Sequence, residues 1–83
     1  MLQNLELEIR NFIVNTFLFG EGGDEFTDDD SLIDKGIVNS TGVLELVAFI
    51  DESYGIQVAD QELIAENFDS INKVVAFVMR KQG

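Results

Sequence analysis

The chain is 83 residues long and 46% hydrophobic, with 16 Asp and Glu against 5 Lys and Arg and a formal net charge of −11. That length corresponds to one small domain, residues 1–83, near the lower limit for a self-sufficient core. With no cysteine and no histidine, it has no disulfide, thiolate nucleophile, imidazole base or Cys/His zinc site, and its anionic surface argues against nucleic acid and acidic lipid as partners.

In the first segment, Leu2, Leu5, Ile9, Phe12, Ile13 and Phe17 recur three or four apart, the stripe of an amphipathic helix. Leu7, Val14 and Leu18 form a second, narrower stripe. Gly20, Gly22 and Gly23 are expected to end the helix. The charge-free run Asn11–Gly20 is too short to cross a bilayer, and no basic leader followed by an apolar run opens the chain. A cytoplasmic protein without membrane insertion is the expectation. From Glu21 to Val38 the pattern lapses into a long acidic loop containing Asp28-Asp29-Asp30, pinned by Phe26, Leu32 and Ile33. Loops of this length in compact domains are commonly functional or disordered.

A second helix is expected from Ser40 to Tyr54, with Val43, Leu46, Val47, Ile50 and Tyr54 inward and Gly55 as its stop. Glu45, Asp51 and Glu52 are left outward. A short helical turn follows near Asp60–Ile64. The last helix begins after the capping pair Asp69-Ser70 and turns Ile71, Val74, Val75 and Val78 inward. It also gathers Lys73, Arg80 and Lys81, the last two suited to the negative end of its dipole. The fold class is therefore all-α, a small four-helix bundle of three longer helices and one short third helix, with a long loop between the first two.

Asn39-Ser40-Thr41 taken alone reads as an ordinary helix cap. Its context is an acidic loop, then a serine opening an acidic amphipathic helix with Glu45-Leu46-Val47 inside it. Tyr54-Gly55-Ile56 and Asn67-Phe68-Asp69-Ser70-Ile71 follow. Together these resemble the acyl carrier protein family over Leu2–Lys81. The resemblance implies that Ser40 receives 4′-phosphopantetheine from coenzyme A and that the chain is not an enzyme, since the prosthetic thiol, not a side chain, carries the cargo. It implies a phosphopantetheinyl transferase, acyl- or aminoacyl-loading ligases and acyl-transfer enzymes with basic patches as partners of a monomer. Asn39, Thr41, Glu45, Asp51 and Glu52 are the partner-binding residues so implied. A cavity lined by Leu46, Phe49, Ile50, Phe68, Ile71 and Val75 is the expected shelter for an acyl chain.

The resemblance has departures. Asn39 replaces the family's Asp, Thr41 its Leu, and Gly42 an acid; Thr-Gly at these two places also marks a subset of the family. Asn caps as well as Asp does, and Gly42 adds almost no bulk beside the serine. The helix start would offer a phosphodiester free N–H groups and the positive end of the dipole.

Other readings stand beside this one. Glu45, Asp51 and Glu52 also fit a plain solvated face. An EF-hand fails in both registers: from Asp28, Leu32 and Ile33 fall where a ligand and a glycine belong, and from Asp24 the third position is Phe26. No metal site follows. A serine-nucleophile enzyme would have only Lys35 as base, with no oxyanion motif. An unmodified interaction module is kept open by Asn39. Within the family, fatty acyl, lipid and secondary-metabolite cargo and an aminoacyl or D-alanyl carrier loaded by an adenylating ligase share this framework.

Overall fold

Leu5, Ile9 and Ile13 stack one turn apart and are buried, which commits this face of the first helix to the core. The computed structural model describes residues 5–22 and 25–82, and the expected helix start at Leu2 lies outside them. Within them lie α1 (Leu5–Phe17), α2 (Ser40–Tyr54), α3 (Ala65–Phe68) and α4 (Ile71–Gln82), with a 3₁₀ turn at Asp60–Glu62 and no strand. The all-α bundle of three longer helices and one short one is as expected.

The second stripe of α1 needs correction. Val14 and Leu18 pack against the core, but Leu7 is 50% exposed. It sits on α1 about half a turn from the Leu5–Ile9 line. The helix also stops differently. Phe19 takes the first left-handed position (φ 56°) and Gly20 the next (φ 85°), while the Gly20 N–H donates to the Val14 carbonyl at 2.9 Å. A non-glycine there costs roughly 1–2 kcal/mol.

The loop between α1 and α2 is tied from both sides. Arg10 donates to Asp28 Oδ1 at 2.6 Å and to the Phe26 carbonyl at 3.1 Å, with its guanidinium 4.5 Å from the centre of the Phe26 ring. At the other end, the Leu32 N–H donates to the Asp69 carbonyl (2.7 Å) and the Asn72 N–H to the Asp28 carbonyl (3.0 Å). Phe26, Leu32 and Val38 are buried. Ile33, expected as a pin, is exposed: the chain turns over residues 32–36, so burying Leu32 sends its neighbour outward.

The α2 boundaries are those expected. Asn39 caps its start, and Gly55 (φ 67°) ends it by donating to the Asp51 carbonyl at 2.9 Å. Leu46 and Ile50 are buried, and Val43, Val47 and Tyr54 are partly so. The turn expected at Asp60–Ile64 is a 3₁₀ turn over Asp60–Glu62, and the separate α3 is an addition to the sequence reading. Four residues are too few to display a helical period. Ser70 Oγ accepts the Lys73 N–H at 3.1 Å, capping α4. Ile71, Val74, Val75 and Val78 are buried as expected, joined by Phe77. Among the described residues, backbone contact between helices is most extensive for α1 against α4 and for α3 against α4, so α4 is the central strut.

Candidate functional site

The start of α2 is set by one hydrogen bond. Asn39 Oδ1 accepts the Gly42 N–H at 2.7 Å, with Asn39 in extended backbone (φ −100°, ψ −177°). Ser40, the next residue, is exposed, and its hydroxyl makes no hydrogen bond among the described residues. It borders a recess of about 240 Å³ lined by Ile33, Val43, Leu44, Ile64 and Phe68, among others. Ile33, Leu44 and Ile64 are 41%, 56% and 45% exposed, giving the serine an apolar collar.

The far wall of the recess belongs to the segment leading into α3, held to α4 by surface polar contacts. Lys81 Nζ lies 3.0 Å from Glu62 Oε1, and Arg80 donates to Asn67 Oδ1 at 3.0 Å. Glu62 also accepts the Ala59 N–H at 2.9 Å. That backbone bond first, and Lys81 second, hold the Glu62 carboxyl below its ordinary range.

The other serines differ from Ser40. Asp30-Ser31-Leu32 spells the family's Asp-Ser-Leu literally, yet the Ser31 hydroxyl donates to the Asp69 carboxylate at 2.8 Å and accepts the Asp34 N–H at 3.0 Å. Ser70 is buried and serves as a cap. Ser53 is exposed in the last turn of α2, outside any such motif.

No family model matches the chain. Among curated relatives, the acyl carrier protein of Akkermansia muciniphila is 32% identical over 80 residues, covering 96% of this chain and 95% of its own length. The D-alanyl carrier protein of Streptococcus suis is 29% identical over 75 residues, covering 88% of this chain and 94% of its own length. The probable acyl carrier protein PigG of a Serratia species is 32% identical over 76 residues, covering 92% and 86%. The chain belongs to the acyl carrier protein family.

In this member of the acyl carrier family, Asn39, Thr41, Glu45, Asp51 and Glu52 are all exposed, but they do not share one face. Asp51 lies two turns beyond Leu44, on the Ser40 side of α2. Glu45 and Glu52 instead border a groove with Phe12 and Phe49, on the side towards α1.

Gly42 adds no bulk beside Ser40 and is itself buried: a Cβ added there would meet Phe17 Cε1 at 2.8 Å and Val38 Cγ1 at 3.2 Å. Glycine is what lets Phe17 close over the first turn of α2, and the acid common in the family would not fit under that ring. Phe49 does not line the recess; its ring stacks on Phe12 at 4.2 Å with a 16° interplanar angle. Leu46, Ile50, Ile71 and Val75 are buried in the core cluster, and Phe68 alone of the expected set borders the Ser40 recess.

Among the described residues, no three acids converge in a way that would hold a metal ion, and no helix is long and apolar enough to cross a membrane.

Proposed function

We propose that the chain carries acyl groups on a 4′-phosphopantetheine arm attached to Ser40 by a phosphopantetheinyl transferase. The observation that carries this reading is the Ser40 hydroxyl itself, exposed at the first position of a 15-residue helix and free of the hydrogen bonds that occupy Ser31 and Ser70. The residues present fit the group. The Ser40 and Thr41 N–H groups open the first turn, where the helix dipole favours a phosphodiester, whereas the Gly42 and Val43 N–H groups are already taken by the side chain and the carbonyl of Asn39. The collar of Ile33, Leu44 and Ile64 offers apolar surface to the arm or its cargo. The attached group would supply the thiol that holds cargo as a thioester. Ser40 anchors it, Asn39 fixes the helix start, and the exposed Asp51 presents a carboxylate to a basic partner on the Ser40 side of α2. Catalysis is assigned to partner enzymes, including a loading ligase and acyl-transfer enzymes, and the working compartment to the cytoplasm.

Incubation with coenzyme A and a broad-specificity transferase, followed by intact mass measurement, tests this. The wild-type chain is expected to gain the arm, whereas Ser40→Ala gains nothing and keeps its helicity. A wild-type mass that stays unchanged returns the chain to the interaction-module reading that Asn39 keeps open.

The D-alanyl carrier relative favours a second reading of the cargo. An aminoacyl group delivered by an adenylating ligase would use the same serine and the same helix. Loading assays offering the modified chain to an amino-acid ligase and a fatty-acyl ligase separate the two.

A further inference from the structure

We propose that Phe19 is an aromatic anchor for the enzyme that modifies Ser40, seating its ring in an apolar pocket of that enzyme. The inference rests on the carrier reading, since it names a contact made while the arm is attached. Four observations lead to it.

First, the ring stands outside the protein. Phe19 is 87% exposed, whereas the other six phenylalanines are buried or packed against the core. Its ring has no aromatic or cationic neighbour among the described residues.

Second, the backbone is strained to hold it there. Phe19 has φ 56°, a conformation that glycine or asparagine adopts at far lower cost than a bulky side chain does. The same turn places glycine at positions 20 and 22, both also at positive φ. If Phe19 had only to end α1, glycine would serve better. A strained residue with no internal contact to compensate for the strain points to a use outside the fold.

Third, the ring lies at the Ser40 end of the bundle. A Cβ on Gly42 would meet the Phe17 ring at 2.8 Å, so the last turn of α1 abuts the first turn of α2. Phe19 follows Phe17 by two residues, as Gly42 follows Ser40. The recess of Ile33, Leu44 and Ile64 opens on the α3 side of the serine, and Phe19 projects from the α1 side. An enzyme reaching the Ser40 hydroxyl can meet both.

Fourth, the surroundings suit an apolar contact. Leu18, Phe26 and Ile37 line a hollow of about 290 Å³ that begins at the residue next to Phe19. Glu25 and Lys35 at its edge carry opposite charges, and Gly22 and Gly36 leave bare backbone there. A knob beside a shallow hollow favours a partner with a pocket, and desolvated rings supply much of the affinity at interfaces. A second copy of this chain is a poorer occupant, because two chains of net charge −11 repel.

The test is steady-state kinetics of a broad-specificity phosphopantetheinyl transferase on the full chain, paired with thermal melts of the same proteins. Phe19→Asn tolerates the left-handed backbone and should melt roughly 4 °C higher than wild type. It should nevertheless raise the KM for the carrier about tenfold with kcat unchanged. That loss should persist at high salt, because apolar contact is not screened as charge is. Phe19→Leu keeps apolar bulk and should recover most of the KM while melting no higher than wild type. A KM for Phe19→Asn within about twofold of wild type overturns the proposal. A lower melting temperature in Phe19→Asn overturns it too, by showing that the ring serves the fold. So does a loss that high salt abolishes, or a wild-type dimer in sedimentation that Phe19→Asn makes monomeric. A wild-type chain that takes no arm is a separate result: it removes the carrier reading, and the proposed anchor with it.

Discussion

The two sides of α2 meet the rest of the protein in different ways. Towards α3, Leu44 and Val43 share a recess with Ile64 and Phe68, and the segment forming its far wall is held by exposed polar contacts, Glu62 to Lys81 and Asn67 to Arg80. Towards α1, a ladder of four rings from Phe17 through Phe12 and Phe49 to Tyr54 fills the gap. Contacts of the first kind exchange readily with water, so that wall can yield, as the proposed arm or its cargo would require. Stacked rings give a surface of fixed shape, better suited to being recognised. One helix thus separates a side that adapts from a side that keeps its form.

Truncating the rings is the harshest way to probe this contrast. Phe68 is 1% exposed beneath the recess, and Phe68→Ala should cost about 3–5 kcal/mol in urea unfolding followed by circular dichroism. Phe49→Ala, at a partly exposed ring, should cost about 1–3 kcal/mol. Equal losses would mean that the ladder is core like any other, and the contrast would fail.

Gly42→Ala probes the end of the ladder nearest Ser40. Alanine favours helix by about 1 kcal/mol, yet the new methyl would press on Phe17 at 2.8 Å. A net loss of about 1–3 kcal/mol is expected. A gain in stability would show that the Phe17 ring yields and that the ladder is not rigid there.

Asn39 joins the two sides at the helix start. Asn39→Ala should cost about 1 kcal/mol by losing the cap on the Gly42 N–H. Asn39→Asp should change stability by less than about 1 kcal/mol, because the charge–dipole gain is opposed by the loop acids and a net charge already at −11. Modification of Ser40 should nevertheless quicken in Asn39→Asp, measured as the rate of mass gain. Equal rates would make Asn39 neutral.

The smallest effects are those of pH, and they run in opposite directions on the two sides. The folded Glu62 carboxyl is held low, so its contribution is complete above the ordinary glutamate value and is lost as pH falls through its lowered value. Burial first, and the Glu8 carboxylate second, push the Tyr54 phenol well above its ordinary value. The contribution of that tie is complete below about pH 10 and declines as pH rises further. Amide exchange should therefore quicken first over residues 59–68 in acid and first around Tyr54 in alkali. Uniform quickening in both would dissolve the distinction.

Much of the fold was legible because its signals are local. Asn39, Gly55 and Ser70 are caps, whereas Asp69 of the expected capping pair turns its carboxylate to Ser31 and Ile33 instead; the inward stripe of α4 repeats over two turns. The proposal for Ser40 also rests on a local signal, the run through Glu45-Leu46-Val47. Contacts between distant segments were not. Ile33 and Leu7 have the composition of core residues, and only the path of the chain decides that they stay exposed. Phe49 lies on a helical face that periodicity leaves ambiguous, and its place is set by Phe12, 37 positions earlier. Asp30-Ser31-Leu32 has the letters of an attachment motif, but the Ser31 hydroxyl is engaged by Asp69, 38 positions away, a contact that local spacing does not reveal.

That contrast between two serines supplies the most direct measurement. Tryptic cleavage after Lys35 separates Ser31, on the peptide Asn11–Lys35, from Ser40, on Gly36–Lys73. After reaction of the wild-type chain with coenzyme A and transferase, fragment masses should place the whole of the added arm on Gly36–Lys73, at Ser40. An arm found on Asn11–Lys35, or at Ser53 or Ser70 within the second peptide, would contradict the account.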